Sequence, residues 1–211
     1  MSNFRIISLF PSSSDILFDL NLEKQLVAVS HECLEKDYFN QLPKVTSTCI
    51  DTNVSQSEID NQVRDKLKKN EPIYKIDINL IKKLKPTHIL TQDICDVCAV
   101  SSNTIEVTLK DARYELPNNI EIITLNGKTF SAICDDVLLV GKIFDKKNEA
   151  REMIHLATKK WNSLKKNKNY KKLLMLEWIN PPFSPGHWIP EQVELAGFDC
   201  LFSSPGDTSK T

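Results

Sequence analysis

Arg5-Ile6-Ile7-Ser8-Leu9-Phe10-Pro11-Ser12-Ser13-Ser14-Asp15 decides the fold of this chain. Arg5–Phe10 is a short, mostly apolar run stopped by proline, the pattern of a strand buried on both faces. Ser12 reads as a helix N-cap, with Asp15 three residues on as its capping partner. Ile16, Leu17, Leu20 and Leu22 then supply the inward face of that helix, and Leu26–Ser30 reads as another strand. Strand, helix and strand in such quick succession make a βαβ unit, whose crossover pairs its two strands in parallel.

Working outward, the alternation continues. Ser55-Gln56-Ser57-Glu58 is a capping box opening a polar helix to about Lys69. Asp77 caps a short helix carrying Ile78, Ile81 and Leu84, which closes before Pro86. His88–Thr91 is a strand, a helix is expected from about Ser102 to Asp111, and Ile120–Leu125 is a further strand. This predicts an open, doubly wound parallel α/β sheet of about four strands. From Thr129 the period becomes helical, through Phe130, Ile133, Val137, Val140 and Phe144. A further helix is expected from Asn148 to about Asn167, with Met153, Ile154, Ala157, Trp161 and Leu164 along one side. Lys172–Trp178 reads as a strand and Pro190–Ala196 as a short helix. The expected organisation is an N-terminal α/β lobe over residues 1–128, a helical segment with an inter-lobe backbone helix over 129–168, and the beginning of a C-terminal α/β lobe over 169–211. One or two strands and a helix do not bury a sheet face, so the C-terminal lobe is expected to be incomplete and to expose apolar strand surface.

Composition narrows the function classes. Among 211 residues, Lys+Arg is 27 and Asp+Glu 28, a net charge of −1. That balance lacks the basic excess of a nucleic-acid protein, and the Lys-rich Lys159–Lys172 reads as a solvated helix end. No apolar run reaches the roughly 18–20 residues that span a bilayer. Met1-Ser2-Asn3 runs into a strand without a secretory signal. A cytoplasmic location is expected for the sequence as it stands, and a periplasmic one if a signal is missing. Six cysteines (Cys33, Cys49, Cys95, Cys98, Cys134, Cys200) are then expected to be reduced unless they bind metal or carry redox chemistry. With five glycines and no Gly-rich loop before a helix, nucleotide binding is not expected.

Ligands of open α/β sheets bind beyond the carboxyl ends of the strands, and polar residues gather there. Ser12 and Ser13 follow the first strand, His31, Glu32 and Cys33 the next, and Gln92, Asp93, Cys95 and Cys98 the His88–Thr91 strand. Trp178, His187 and Trp188 follow the strand of the C-terminal lobe. Ser12 and Ser13 can contact phosphate, act as nucleophiles or simply cap the helix. His31 and Glu32 can act as base and orienter or be structural. Cys95-x-x-Cys98 before a helix allows three readings: plain or ligand-contacting thiols, a metal site, or a redox pair. With His31 and Cys33 it offers a Cys₃His set suited to zinc. Trp188, in a Pro/Gly loop, is either core or a face for a flat ligand.

These residues carry a resemblance. Ile6–Asp15 is similar to the opening strand and helix of the substrate-binding proteins of iron–siderophore and vitamin B12 ABC importers, with Asp15 where Glu is usual. Ser30-His31-Glu32-Cys33, Thr91–Val100 and Glu177-Trp178 through Gly186-His187-Trp188-Ile189-Pro190-Glu191 resemble a cobalamin-binding-protein-like subgroup lacking a signal peptide. The resemblance covers nearly the whole chain. It implies two α/β lobes joined by a helix, with the C-terminal lobe expected to be truncated in this chain. It implies non-catalytic binding of a cobalamin-like corrinoid or related metal chelate in an inter-lobe cleft. Ser12, Ser13, His31, Glu32, Asp93, Trp178, His187 and Trp188 are the expected ligand contacts. Axial ligation of cobalt by His31 or His187 and an ABC importer permease as partner complete the expectation. The competing expectation is a cytosolic zinc, iron or thiol-redox protein using His31, Cys33, Cys95 and Cys98.

Overall fold

The computed structural model describes residues 4–34, 36–69, 71–94, 120–164 and 171–210. The helix expected over Ser102–Asp111, and with it Cys95 and Cys98, lies outside these. The chain divides into two compact units, Met1–Asn53 with Gln62–Leu125, and Val54–Asn61 with Asn126–Thr211.

The first unit is built on a four-stranded parallel sheet. Its strands are β1 (Ile6–Ser8), β2 (Leu26–Val29), β5 (His88–Gln92) and β6 (Glu121–Leu125). They lie in the order β2-β1-β5-β6. Ile7 of β1 lies between Ala28 of β2 and Ile89 of β5. All three residues of β1 are fully buried. The doubly wound parallel sheet predicted from the alternation is present. Ile7, Leu9, Ala28, Val45, Ile81 and Ile89 form one continuous buried cluster. An antiparallel pair, β3 (Thr46–Thr48) and β4 (Tyr74–Ile76), stands beside it. The Val45 N–H donates to the Val29 carbonyl at 3.1 Å, which brings the start of β3 against the end of β2.

Helix α1 (Pro11–Asp19) begins two residues earlier than the Ser12 cap implies. Pro11 takes the first helical position because its missing N–H is one that no helix could use there. Phe10, extended at φ −156° and ψ 156°, is the N-cap and provides no side-chain bond. Asp15 therefore has no capping partner and pairs instead with Lys36. Ile16, Leu17, Leu20 and Leu22 are buried as the pattern required. Helix α2 (Asp37–Asn40) is a single turn. Helix α3 (Gln56–Lys68) opens with the expected capping box. The Ser55 N–H and hydroxyl donate to Glu58 Oε2 at 3.0 and 2.6 Å, and the Glu58 N–H returns to Ser55 Oγ at 3.3 Å. Asp77 caps α4 (Ile78–Leu84) by accepting the Leu80 N–H at 2.9 Å.

In the other unit Thr129 caps α5 (Phe130–Ile143), accepting the Ala132 N–H at 3.2 Å. Helix α6 (Lys147–Ser163) ends earlier than the expected Asn167. Leu164 is extended there (ψ 115°), and the Ser163 hydroxyl turns back to the Lys160 carbonyl at 2.7 Å. Seventeen residues span about 25 Å at 1.5 Å each. The expected Lys172–Trp178 strand is also broken. β7 (Lys172–Leu173) pairs in parallel with β10 (Asp199–Cys200) for two residues only. Phe202, in left-handed backbone at φ 67°, turns the partner chain away after Leu201. With no ladder to join, Leu174–Leu176 leave the sheet, and Trp178–Ile179 (β8) pairs instead with Pro182–Phe183 (β9). Leu174, Ile179 and Phe202 are 55%, 70% and 78% exposed. Helix α7 (Ile189–Leu195) lies between β9 and β10 in the chain. No helix among the described residues is long and apolar enough to cross a membrane.

The α5–α6 corner is closely packed. A Cβ on Gly141 would fall 2.5 Å from the Ala150 Cβ and 2.9 Å from the Lys146 carbonyl oxygen. Neither neighbour is the far end of a flexible side chain. Gly141→Val is expected to cost about 1–3 kcal/mol by overpacking. It should lower the melting temperature by several degrees in differential scanning fluorimetry, while Leu139→Val, at an exposed position, should not.

Candidate functional site

The order β2-β1-β5-β6 sends the chain to one side of β1 and then to the other, so the loops leaving β1 and β5 diverge at their carboxyl ends. A crevice at such a switch point is the usual ligand position of an open sheet. Ser12 follows β1 and is exposed in the first turn of α1, where backbone N–H groups lack helical partners and favour anionic groups. His31 and Glu32 follow β2. Asp93 follows β5 and is exposed, its own N–H donating to the Leu125 carbonyl at 3.2 Å.

His31 is held by Thr46 rather than by Glu32. Thr46 Oγ1 lies 2.7 Å from His31 Nδ1, 3.0 Å from the His31 backbone nitrogen and 3.0 Å from Ser30 Oγ. The pairing of Val45 with Val29 sets that register, since it places Thr46 beside the residues that follow β2. The Tyr74 ring, delivered by β4, packs 5.7 Å from the imidazole at a 53° tilt. Tyr74 donates its hydroxyl to Glu32 Oε1 at 3.2 Å. Glu32 thus has a different partner from the base–orienter pairing read in the sequence, because its side chain turns toward Tyr74. Thr46 and Tyr74 are the residues that sequence reasoning missed. The sequence pattern assigns no element at either position, and nothing in the spacing ties them to His31.

Ser13 and Cys33 are withdrawn from the ligand edge. Both are buried, in a network under the loops. Ser13 Oγ lies 2.5 Å from Ser8 Oγ and 3.0 Å from the Phe10 carbonyl oxygen. Ser14 donates to Ser8 Oγ at 2.7 Å and lies 3.2 Å from Cys33 Sγ. The four groups satisfy one another where the end of β1 is sealed from water, so Ser13 and Cys33 are buried and hydrogen-bonded beneath the edge that carries Ser12 and His31. Burial pushes the Cys33 thiol up, opposed by its Ser14 bond. No group of three or more His, Cys, Asp or Glu side chains among the described residues is arranged to hold a metal ion. Lys44 anchors the same loop, donating to the Cys33 and Phe39 carbonyls at 2.8 and 3.0 Å. Lys36 pairs with Asp15 and lies 4.9 Å above the Phe18 ring.

Three predicted residues lie in the other unit. Trp178 is half-buried, and its Nε1–H donates to the Asn180 carbonyl at 3.0 Å. His187 has left-handed backbone at φ 58°, and its Nε2 is buried without a hydrogen-bond partner. Its N–H donates to the Asp207 carbonyl at 2.6 Å, and its ring lies 5.8 Å from that of Trp188, tilted 35°. Glu177 holds this loop by accepting the Gly186 N–H at 2.8 Å and the Ser209 hydroxyl at 2.5 Å. Glu191 accepts the Phe130 N–H at 2.7 Å, so the motif's last carboxylate is spent on the start of α5.

No family model matches the chain, and no curated protein does. Solved structures do match over its full length. A protein of Staphylococcus epidermidis described as a possible iron-binding (periplasmic solute-binding) protein aligns at TM-score 0.67 and 18% identity, over 100% of this chain and 72% of its own. The periplasmic heme-binding protein HutB of Vibrio cholerae aligns at 0.68 and 18%, over 99% and 70%. The periplasmic vitamin B12 binding protein BtuF of Vibrio cholerae aligns at 0.61 and 18%, over 98% and 69%. The fold is that of the periplasmic solute-binding proteins. The loop after β2 presents an imidazole fixed by Thr46 and Tyr74.

Burial is the main cause that lowers the His31 pKa below the ordinary imidazole value; Glu32 opposes this and Lys44 adds to it. His31 is therefore neutral at neutral pH. An imidazole that resists protonation when folded adds stability above its unfolded pKa, and that stability is lost as pH falls through the folded value. In a histidine-detected NMR titration, Glu32→Gln should move the His31 midpoint further down and Lys44→Gln should move it up. Thiol labelling followed by peptide mapping should leave Cys33 unmodified in the native protein and modify it after denaturation. Labelling of native Cys33 at the rate of an exposed thiol would contradict the sealed network.

Proposed function

We propose that this protein binds a metal chelate of the corrinoid or tetrapyrrole class, cobalamin-like, at the carboxyl edge of its parallel sheet. The observation that carries the reading is the placement of Ser12, His31, Glu32 and Asp93 at the strand ends around the switch point, in a fold shared with heme- and B12-binding proteins. The α1 N-terminus and Ser12 suit the carboxylate or amide rim of such a ligand. His31 and Tyr74 offer aromatic surface beside them. Binding is non-covalent and no bond of the ligand is broken. By the same likeness, an ABC importer permease is the proposed partner. The thiol-metal alternative is weaker, because Cys33 is already committed to Ser14 and closed to solvent.

Titration of the purified protein with cobalamin, cobinamide, heme and ferrioxamine, followed by visible absorbance and calorimetry, tests this. A saturable one-to-one change with cobalamin or cobinamide is expected. Absence of saturable binding for all four chelates overturns the proposal, and stoichiometric zinc in the protein as purified would return the thiol-metal reading.

A further inference from the structure

Helices α5 and α6 run side by side in opposite directions. Gly141 meets Ala150 near their joining turn, and the Phe130 and Trp161 rings stack at 4.2 Å at the far end. On the solvent side of this hairpin Leu138, Lys142, Lys147 and Arg151 line a cleft of about 310 Å³. Their spacing puts them there: Lys142 lies one turn after Leu138 on α5, and Arg151 one turn after Lys147 on α6. All four side chains are exposed, Leu138 by 40%.

Three cations therefore surround one apolar side chain, and no acid answers them. Among the described residues the side chains of Lys142, Lys147 and Arg151 make no hydrogen bond and no ion pair. The adjacent Lys146 shows the difference, since its ammonium pairs with Glu149 at 2.9 Å. Lys147 and Arg151 repel each other at i, i+4, and Lys142 adds to this from α5. The whole chain has a net charge of −1, so the excess is local. An anionic partner relieves the repulsion and gains three contacts at once.

We propose that the α5–α6 cleft docks an acidic segment of a partner protein. An apolar side chain of that segment covers Leu138, and Asp or Glu carboxylates on either side of it meet Lys142, Lys147 and Arg151. An apolar centre within a charged rim is the anatomy of a protein interface. The Arg151 guanidinium can hold a carboxylate through two parallel N–H···O bonds. Carboxylates one helical turn apart on the segment match the one-turn spacing of Lys147 and Arg151. A small inorganic anion fits the cleft less well. It must immobilise three long, exposed side chains for a single set of contacts, and it has nothing to place on Leu138. An anionic bilayer also fits less well, because polybasic attachment takes roughly four to eight cations and Glu149 and Glu152 stand beside these three on α6. None of the four residues belongs to the proposed chelate site, and the inference does not rest on that reading.

A display library of random peptides, each about 16 residues long, is selected on the full chain. It is counter-selected on a variant carrying Lys142→Glu, Lys147→Glu and Arg151→Glu. Enriched sequences should place an apolar residue within one turn of at least two acids. Synthetic copies should bind the wild type in fluorescence anisotropy and the triple variant at least about tenfold more weakly. Leu138→Gln, with every charge in place, should weaken them about fivefold or more. Lys160→Glu, further along α6, should change affinity by less than about twofold, because distant exposed charges are screened. Circular dichroism and melting temperature establish that each variant is folded. Failure to enrich acidic sequences with an apolar residue, or equal binding of the enriched peptides to the triple variant, overturns the proposal. So does full retention of affinity in Leu138→Gln. Three further results overturn it by naming another occupant. Tripolyphosphate that displaces the peptides far below the sodium chloride concentration needed to do so assigns the cleft to a small anion. Co-sedimentation with phosphatidylserine vesicles that the triple variant loses assigns it to a membrane surface. A dimer in analytical ultracentrifugation that the triple variant dissociates assigns it to a second copy of the chain.

Discussion

Ile6, Ile7 and Ser8 are buried on both faces and laddered on both edges, and the rest of the first unit depends on that burial. A strand of three residues has little ladder of its own. It persists because β2 and β5 each pair with it along its whole length and because no water reaches it. The two isoleucines supply apolar area worth roughly 1.5–3 kcal/mol each when fully buried. Ser8 is the exception, a hydroxyl in a place that tolerates none without partners. Its bonds to Ser13, Ser14 and the Phe10 carbonyl answer that cost and at the same time tie the start of α1 to the end of β1. One fully buried strand thus sets both the sheet and the point where the chain leaves it.

The candidate site inherits its rigidity from this arrangement. Ser14 reaches from α1 to Cys33 in the loop after β2, so the start of α1 and that loop are joined beneath the surface by buried side chains. Lys44 holds the same loop through the Cys33 and Phe39 carbonyls. At the surface stand the Ser12 end of α1, the His31 imidazole held by Thr46, the Glu32 carboxylate bonded to Tyr74 and the Asp93 carboxylate. The buried serines and thiol are support, and their chemistry is consumed in supporting.

The other unit has the opposite balance. Its helices are well fixed, with Gly141 against Ala150 and the Phe130 and Trp161 rings stacked at 4.2 Å. Its strands are two residues long and leave apolar side chains in water. The Gly186-His187-Trp188 loop nevertheless has a defined shape, because Glu177, Ser209 and Asp207 occupy its backbone groups. Gly186 is required there: a Cβ would fall 2.6 Å from the Ser209 backbone nitrogen.

The sequence by itself determined the parallel sheet, the burial of Ile16, Leu17, Leu20 and Leu22, the Ser55–Glu58 and Asp77 caps and the Thr129 start of α5. These depend on local periodicity and on bonds between residues three or four apart, which a linear reading contains. It also placed Ser12, His31 and Asp93 at strand ends, since polarity after an apolar run marks that position. It misjudged the cap of α1 because proline at the first helical position outweighs serine chemistry. The continuous Lys172–Trp178 strand failed because a strand exists only while a partner runs beside it, and Phe202 turns that partner away. Tertiary structure alone decided which polar residues face solvent. Ser13 and Cys33 resemble site residues in sequence, yet both are enclosed, because neighbours five and nineteen residues away supply their bonds. Thr46 is fifteen residues from His31 and Tyr74 is further still, and only strand register brings them to the imidazole.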